Sequence, residues 1–473
     1  MVIGLIPSRV KAVEDPTLVV NNRFGIHVVD EGDLDKAAEL VNSNGGEWGY
    51  VTLVIQQDNR VVEKWQKIFD RMRELKLIPI VRLATRVENG VWVKPKEEEV
   101  RSWADFLNAL NWVVKNRYVV LFNEPNHAKE WGGQVRPDEY AKIARAMMRQ
   151  LKEFNSDYFV LPAGLDLAAD NSLGTRTAIS FWQGVYNTDQ DLLKDFDGLT
   201  SHSYPNPDFS GKPTDVGQKS IRGYQWEIAH LKQYGVDSMV PVFITETGWV
   251  HKEGKKDDRY RLTADQVADY YKNAFDGAWN SDQVVAVTPF ILNYQDDPFD
   301  HFSWTKYQST ETYPQYGVIK AIPKLAGRPE QVAQADYIPR YFPRSFAVDG
   351  QYQVAVRFLN TGQAIWYGND TEVKVIANSG SGVQAEQLET VPPGYVAKVW
   401  LKINTPPTQG EETLTISLWH NGNRISPEVI KKVELKPDSL LLELRLMFDK
   451  VIHRGDLLGM LWKGYWKLAK VWA

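Results

Sequence analysis

Residues 118–127 read YVVLFNEPNH, and this short stretch decides how the rest of the chain is interpreted. Its first five residues are apolar, which predicts a buried strand, and the Asn-Glu-Pro that follows puts a carboxylate at the end of that strand. A carboxylate at the mouth of a buried strand is costly unless a partner satisfies it or a reaction uses it. Glu124 is therefore the first candidate functional residue.

Seven more apolar runs of similar length occur in the first 325 residues, and amphipathic stretches with helical periodicity separate them. Eight β-then-α units predict a (β/α)8 barrel, a TIM barrel of the α/β class. A doubly wound sheet is the structural alternative, but no G-x-G-x-x-G turn follows the first strand. The predicted strands are 24–29, 50–55, 78–83, 118–123, 159–163, 198–202, 242–246 and 284–292. The predicted helices are 33–41, 61–75, 97–114, 137–154, 220–234 and 263–279.

The composition changes after Pro323, where a stretch rich in Gly and Pro predicts a linker. Short alternating strands then predict a small β-sandwich. Within it, NTGQAIW (360–366) and VPPG (391–394) resemble the Ig-like domains found beside catalytic domains and in the autophagy-receptor type of sandwich. The predicted organisation is a barrel at 1–325, a linker at 326–344, an Ig-like sandwich at 345–437 and an amphipathic helical tail at 438–473.

The tail ends in a pattern that separates cationic from apolar residues on a helix. Its two faces are Lys463, Lys467 and Lys470 on one side and Leu461, Tyr465, Leu468 and Trp472 on the other, flanked by Trp462 and Trp466. Such a helix can lie in a membrane interface, so contact with a membrane surface is one expectation. The alternative is that the apolar face docks on the sandwich or on another subunit. The tail is too interrupted by charge to span a bilayer.

Composition and motifs exclude several classes of chemistry. The net charge of the 473 residues is −5, so no basic field predicts a nucleic-acid partner. The chain has no cysteine, which excludes disulfides, thiolate metal sites and a Cys nucleophile. It has no H-E-x-x-H, P-loop or G-x-S-x-G motif, and its eight histidines show no metal-ligand spacing. Neither a metal nor a cofactor is expected.

Like Glu124, a second glutamate, Glu246, lies at the end of a predicted strand. FITETGW (243–249) puts Glu246 at the end of the seventh predicted strand. The active face of a barrel is formed by the C-terminal ends of its strands, and strands four and seven face each other across the mouth. Glycoside hydrolysis requires two carboxyls on either side of one bond. Glu124 and Glu246 are therefore the predicted catalytic pair, with ordinary salt-bridged residues as the alternative.

Asn123-Glu124-Pro125 after strand four, together with Glu246 in TETG (245–248) after strand seven, resemble the glycoside hydrolases of clan A, a group of retaining (β/α)8 enzymes. The resemblance implies that Glu124 is the acid/base and Glu246 the nucleophile. It also implies that Asn123 hydrogen-bonds the sugar 2-hydroxyl. We expect the two carboxyls to lie about 5–5.5 Å apart, which is the retaining geometry.

SHSYP (201–205), after strand six, places His202 and Tyr204 two residues apart, so their side chains point the same way along an extended segment. Clan A members often have a His or Tyr at this place that contacts the nucleophile. The resemblance thus implies that Tyr204 donates to Glu246. A satisfied structural hydroxyl is the alternative.

Three other polar residues are candidates for the mouth of the barrel. Arg82 ends strand three in IVRLAT (80–85) and could hold a carboxylate ionised, with a structural ion pair as the alternative. His27 lies on strand one, and His127 lies just past Glu124. Each could line the mouth, although a structural partner is the alternative for a lone histidine.

Trp131, Trp249 and Trp304 lie in predicted loops on the active face and are expected to stack on sugar rings, with core packing as the alternative. Clan A enzymes often carry a Trp at the end of strand eight. Here that strand ends in FILNY (290–294), and the next Trp is Trp304. The acidic segment 296–300 could bind a cation or be a solvated loop.

The sequence therefore predicts a retaining hydrolase that cleaves a β-linked oligo- or polysaccharide. An extracellular or cell-surface location is favoured. No signal peptide is visible, and a chain trimmed of its leader would look the same. Two alternatives use the same fold: a glycan-binding or scaffolding protein without turnover, and a transglycosylase that passes the sugar to another sugar.

Overall fold

The computed structural model describes residues 13–439 together with 442, 444 and 446. The chain divides into two compact units, Met1–Glu330 and Gln331–Ala473. The amphipathic faces predicted at 461–472 lie outside the described residues. Within the described part of the chain, no helix is both long enough and apolar enough to cross a bilayer.

Eight parallel strands form the centre of the first unit. They are β1 (Gly25–His27), β2 (Gly49–Gln56), β3 (Leu77–Ala84), β4 (Arg117–Val120), β5 (Tyr158–Leu161), β6 (Leu199–His202), β7 (Val242–Glu246) and β8 (Val284–Val287). β1 to β5 form one sheet in chain order, and β6 to β8 form another. Parallel bridges join the sheets at both seams, Phe24 with Val287 and Asp166 with His202. The strands thus close into a ring, and the predicted α/β class with parallel strands is confirmed.

The inside of this strand ring is a packed core. Tyr50, Tyr118, Phe159 and Phe243 come from four different strands, and the ring centroids in five of their six pairs lie between 5.2 and 6.5 Å apart. All four are buried. Such near-continuous apolar strands are typical of a parallel sheet covered by helices.

Helices alternate with the ring strands. They are α1 (Leu34–Val41), α2 (Val62–Glu74), α3 (Val100–Ala109), α4 (Pro137–Phe154), α5 (Ala178–Thr188), α6 (Leu192–Asp195), α7 (Gly223–Leu231), α8 (Ala264–Asp276) and α9 (Pro314–Ala321). α4 has the predicted bounds and begins at a proline, which lacks the N–H that a first turn leaves unpaired. α8 begins with a capping box between Thr263 and Gln266. Local sequence signals therefore set where these helices start.

Five ring strands are shorter than predicted, and the physical reason is clear for β4 and β8. The prediction 118–123 runs past Val120, where β4 ends, because Phe122 has a φ of 73° and cannot continue an extended strand. The prediction 284–292 runs past Val287, because Pro289 has no N–H to donate to a neighbouring strand. Apolar composition continues beyond both strand ends, whereas strand geometry does not.

The second unit contains two sheets built mostly from antiparallel pairs. One sheet is ordered Ala335–Tyr337, Gln351–Asn360, Val396–Asn404 and Gly382–Ala385. The other is ordered Ser345–Ala347, Val429–Lys436, Gly410–His420 and Thr371–Ala377, with Asn423–Arg424 beside Gly410–His420. Their apolar side chains share one core around Trp366. The segment predicted as a linker at 326–344 extends the first unit to Glu330 and also supplies the strand Ala335–Tyr337, which is too short to show periodicity in the sequence.

Candidate active site

A cavity of about 380 Å³ opens at the C-terminal ends of the ring strands. Strand ends and the loops after them supply its lining, as expected for this face of a parallel ring. The polar lining residues are Arg82, Thr85, Asn123, Glu124, His127, Glu130, Asp166, Tyr204, Asn206 and Glu246. The apolar lining residues include Trp92, Phe122, Phe209, Phe290, Phe299 and Phe302.

Glu124 reaches the cavity because the chain bends sharply after β4. Phe122 and Glu124 have φ values of 73° and 34°, in the left-handed region that non-glycine residues rarely adopt. Each such residue costs about 1–3 kcal/mol, and strain of this kind clusters at functional sites. The Glu124 side chain is partly exposed, and its Oε1 lies 2.8 Å from His202 Nδ1.

Glu246 is the last residue of β7 and is held by a bulge in the pairing with β6. Ser201 pairs with Ile244, but the next residue, His202, pairs with Glu246, so Thr245 is the extra residue. Bulges often re-aim a side chain beside an active site. The Glu246 side chain is buried, with 8% of the residue exposed.

Cations and donors surround the Glu246 carboxylate. Arg82 Nη1 donates to Oε1 in an ion pair, and Tyr204 Oη donates to Oε2 at 3.2 Å. Burial raises the pKa of Glu246, but His202 and Arg82 oppose this and hold the pKa at about 2. Glu246 is therefore ionised near neutral pH, which is the state that a nucleophile needs.

His202 links the two glutamates. Its Nδ1 lies 2.8 Å from Glu124 Oε1 and 3.8 Å from Glu246 Oε2. Burial lowers the pKa of His202, but the charge of Glu246 and the hydrogen bond to Glu124 outweigh it, so the pKa is raised. One oxygen of each glutamate and a ring nitrogen of His202 all lie within 4.8 Å of one another.

The ring of His27 lies buried beside Glu246. It is 1% exposed, and its Nε2 lies 4.0 Å from Glu246 Oε1. Burial and the charge of Arg82 lower the pKa of His27 to about 3, so the ring is neutral. Neither ring nitrogen has a hydrogen-bond partner among the described residues. His27 is close to the carboxylate but does not line the cavity.

Asn123 connects Arg82 to a third glutamate. Arg82 Nη1 donates to Asn123 Oδ1 at 2.6 Å, and Asn123 Nδ2 donates to Glu130 Oε2 at 3.3 Å. Sequence reasoning missed Glu130, whose only signal is its place six residues after Glu124 in the same loop. His127 also lines the cavity, but its Nε2 is paired at 2.8 Å with Asp166, another residue that the sequence did not single out.

The three tryptophans predicted to stack on sugars do not reach the cavity. Trp131 and Trp249 are each 1% exposed and Trp304 is fully buried, so none presents a ring face to a ligand. They pack on other aromatic rings in the core of the first unit, as with Trp131 on Phe122 and Tyr140. The expected stacking role is therefore wrong. Trp92, brought in by the hairpin Val87–Glu88 and Val91–Trp92, lines the cavity instead.

After β8 the chain supplies three phenylalanine side chains to the cavity. Phe290, Phe299 and Phe302 all line the cavity, and Phe209 from the loop after β6 packs against Phe302 with ring centroids 5.0 Å apart. These four rings form an apolar wall on one side of the cavity. Sugar rings present apolar C–H faces, so aromatic rings of this kind can contact them.

Two groups of acidic residues are candidates for binding a cation, and in both of them carboxylates already have protein partners. Among the described residues, only Glu124, His202 and Glu246 form a group that could hold a metal ion. Arg82 is already paired with Glu246, and its positive charge opposes a cation there. In the acidic segment 296–300, Asp296 pairs with Lys255 at 2.6 Å, and Asp300 accepts from the Lys255 backbone N–H at 2.7 Å.

No protein-family model and no curated protein matches the chain. Matches among solved structures include a calcium binding mutant of beta-glucuronidase 2 from Bacteroides uniformis, with 10% identity and a TM-score of 0.41. The match covers 89% of this chain and 46% of that chain. An endo-beta-1,3-glucanase from Sorangium cellulosum is 13% identical (TM-score 0.41; 65% of this chain, 100% of that chain). Endo-glycoceramidase II from Rhodococcus sp. is 11% identical (TM-score 0.39; 83% of this chain, 99% of that chain). These structures are glycoside hydrolases.

Proposed function

We propose that the chain is a retaining glycoside hydrolase that acts on a β-linked oligo- or polysaccharide, and that the strand ring is the (β/α)8 barrel of such an enzyme. One observation carries the proposal. Glu124 follows β4 and Glu246 ends β7, three strands further around the ring, and an oxygen of each lies within 4.8 Å of the other. This short distance favours the retaining class, at about 5–5.5 Å, over the inverting class, at about 6.5–9.5 Å.

In the first step, a Glu246 oxygen attacks the anomeric carbon while the bond to the leaving oxygen breaks. Glu124 gives its proton to that leaving oxygen. The product is a glycosyl ester on Glu246. In the second step Glu124 takes a proton from water, the water oxygen attacks the anomeric carbon, and the ester bond breaks to restore the Glu246 carboxylate.

The surroundings of the two glutamates support these roles. Glu246 has Arg82 and Tyr204 as donors and stays ionised. Glu124 is the more exposed of the two, and its nearest polar partner is His202. Two carboxyls with different environments are the arrangement by which one site provides both an acid and a nucleophile. We propose further that the second unit is an Ig-like accessory domain.

The test is to replace Glu246 by Ala and assay the full chain on neutral and acidic aryl glycosides and β-glycans. We expect turnover to fall to background and small anions such as azide to restore part of it, because azide can occupy the space of the missing carboxylate. The anomeric configuration of the first product, followed by NMR, should match that of the substrate. Glu63→Gln, on the exposed side of α2, is the control.

Three outcomes would contradict the proposal. They are full activity of the Glu246→Ala variant, an inverted first product, and absence of turnover by the unchanged chain on every glycan. If product appears only when a second sugar is added as acceptor, the same residues catalyse transglycosylation. A chain that binds glycans without turnover would be a binding protein.

A further inference from the structure

Glu130 is a carboxylate in the cavity that the two-glutamate cycle does not use. It lies at the end of the short turn Ala128–Glu130, in the loop after β4, and lines the cavity with Glu124 and Glu246. Among the residues that the structure describes, only the side chain of Asn123 donates a hydrogen bond to its carboxylate. The second oxygen therefore remains available to a ligand.

Carboxyl groups outnumber cationic groups in the lining of the cavity. Four carboxylates line it, contributed by Glu124, Glu130, Asp166 and Glu246. The cationic groups in the lining are Arg82, which already contacts Glu246 and Asn123, and His127, which is paired with Asp166. A carboxylate or sulfate on a sugar would thus meet paired cations and an unpaired anion.

The neighbouring carboxyl group of Glu124 also affects the pKa of Glu130. Burial and the charge of Glu124 raise its pKa to about 7, although Asn123 and Arg82 act in the opposite direction. Burial is the larger cause, and the part of the shift that comes from Glu124 reflects a negative field at this position. Such a field repels a further anion and favours neutral or amino groups, which can donate to the Glu130 oxygen.

We infer that Glu130 is a specificity-determining residue, through which the cavity accepts neutral or amino sugars and rejects sugars that carry a carboxylate or sulfate. The inference rests on the proposed glycosidase function and names its substrate class. It assigns Glu130 a contact with the sugar, separate from the bond-breaking carried out by Glu124 and Glu246.

The experiment compares matched pairs of substrates on the full chain. From the aryl glycosides and oligosaccharides that it cleaves, a neutral sugar is paired with the counterpart that has a carboxylate at C6. We expect kcat/KM to favour the neutral member by at least about 100-fold. At about pH 8.5, above the Glu130 pKa of about 7, this preference should shrink about tenfold in Glu130→Gln, since one unit charge has been removed from a partly screened site.

Two further variants separate charge from fold. Glu130→Asp keeps the charge and should keep most of the preference, whereas Glu63→Gln removes a carboxylate far from the cavity and should leave it unchanged. The inference is overturned if the unchanged chain cleaves the acidic member equally well or better. It is also overturned if Glu130→Gln, with an unaltered melting temperature, retains the full preference. If no glycoside of either kind is cleaved, the proposed function fails and this inference fails with it.

Discussion

The ends of β4 and β7 each bring a glutamate into the same cavity, but they do so in different ways. After β4 the backbone leaves the sheet through left-handed conformations, and Glu124 is left partly exposed with His202 as its close polar partner. At the end of β7 the strand persists through a bulge, and Glu246 is buried among Arg82, Tyr204 and His202. The comparison teaches that two glutamates in one cavity can differ in burial and in hydrogen-bond partners because their strand ends differ.

The largest expected effect comes from removing each carboxylate in turn. Glu246→Gln should abolish turnover of every glycoside, because no covalent intermediate can form. Glu124→Gln should lower kcat by about 10²–10⁴-fold on substrates with a poor leaving group, but far less on a dinitrophenyl glycoside, whose leaving oxygen needs no proton. Steady-state kinetics over a series of leaving groups measures both. Equal losses in the two variants would remove the distinction between the two strand ends.

Arg82→Met tests what keeps Glu246 ionised. Without this cation the pKa of Glu246 should rise, so the carboxylate begins to take up a proton at a higher pH as the solution is acidified. We expect kcat/KM to fall about 10²–10³-fold at neutral pH and the acid limb of its pH profile to move upward. Arg101→Met, which removes an exposed arginine on α3, is the matched control. An acid limb that stays in place would show that Arg82 does not set the ionisation of Glu246.

Gly164→Ala tests the position of the histidine shared by the two glutamates. A Cβ at Gly164 would lie 2.3 Å from Cδ2 of His202, so the ring must shift and its contact with Glu124 is disturbed. We expect kcat to fall about tenfold or more and the free energy of unfolding to drop by about 1–3 kcal/mol from overpacking. Gly317→Ala in α9, where an added Cβ meets nothing within 4 Å, is the control and should be neutral or slightly stabilising. Unchanged kcat in Gly164→Ala would mean that the position of His202 is unimportant.

The smallest effect concerns stability in acid. Glu246 has a folded-state pKa of about 2, below its ordinary value of 4.5, so its contribution to stability is present above pH 4.5 and is lost as the pH falls toward 2. Between pH 5 and pH 3 the unchanged chain should therefore lose about 1–2 kcal/mol more unfolding free energy than Glu246→Gln. Urea denaturation at both pH values measures this difference. Identical losses would contradict the environment described for Glu246.

The sequence predicted the parts of the site that follow from strand order. Glu124, Glu246, Arg82 and Tyr204 all stand at or just past the ends of apolar runs, and parallel strands bring such ends to one face. The alternation of strands and helices could also be predicted from the sequence, because hydrophobic periodicity is a local signal. These predictions needed no knowledge of how loops fold.

The predictions of cavity-lining residues were wrong or incomplete where a side chain is positioned by a loop. Trp131, Trp249 and Trp304 were placed in loops on the active face, but their large apolar area is buried against neighbouring rings. Glu130 and Asp166 carried no periodic signal, since loop conformation alone brings them to the cavity. Residue type and position thus predict which strand ends carry function, and three-dimensional packing decides which loop side chains join them.

The strained backbone at Phe122 and Glu124 has an evolutionary consequence. Glycine or asparagine would adopt the left-handed conformation at position 124 more easily than glutamate does, so such a change would relieve strain while removing the carboxyl group. Selection for thermal robustness alone would therefore favour loss of this glutamate. In a duplicated gene that is no longer selected for activity, we expect Glu124 to be substituted early. Retention of Glu124 in such a copy would indicate continued selection for activity.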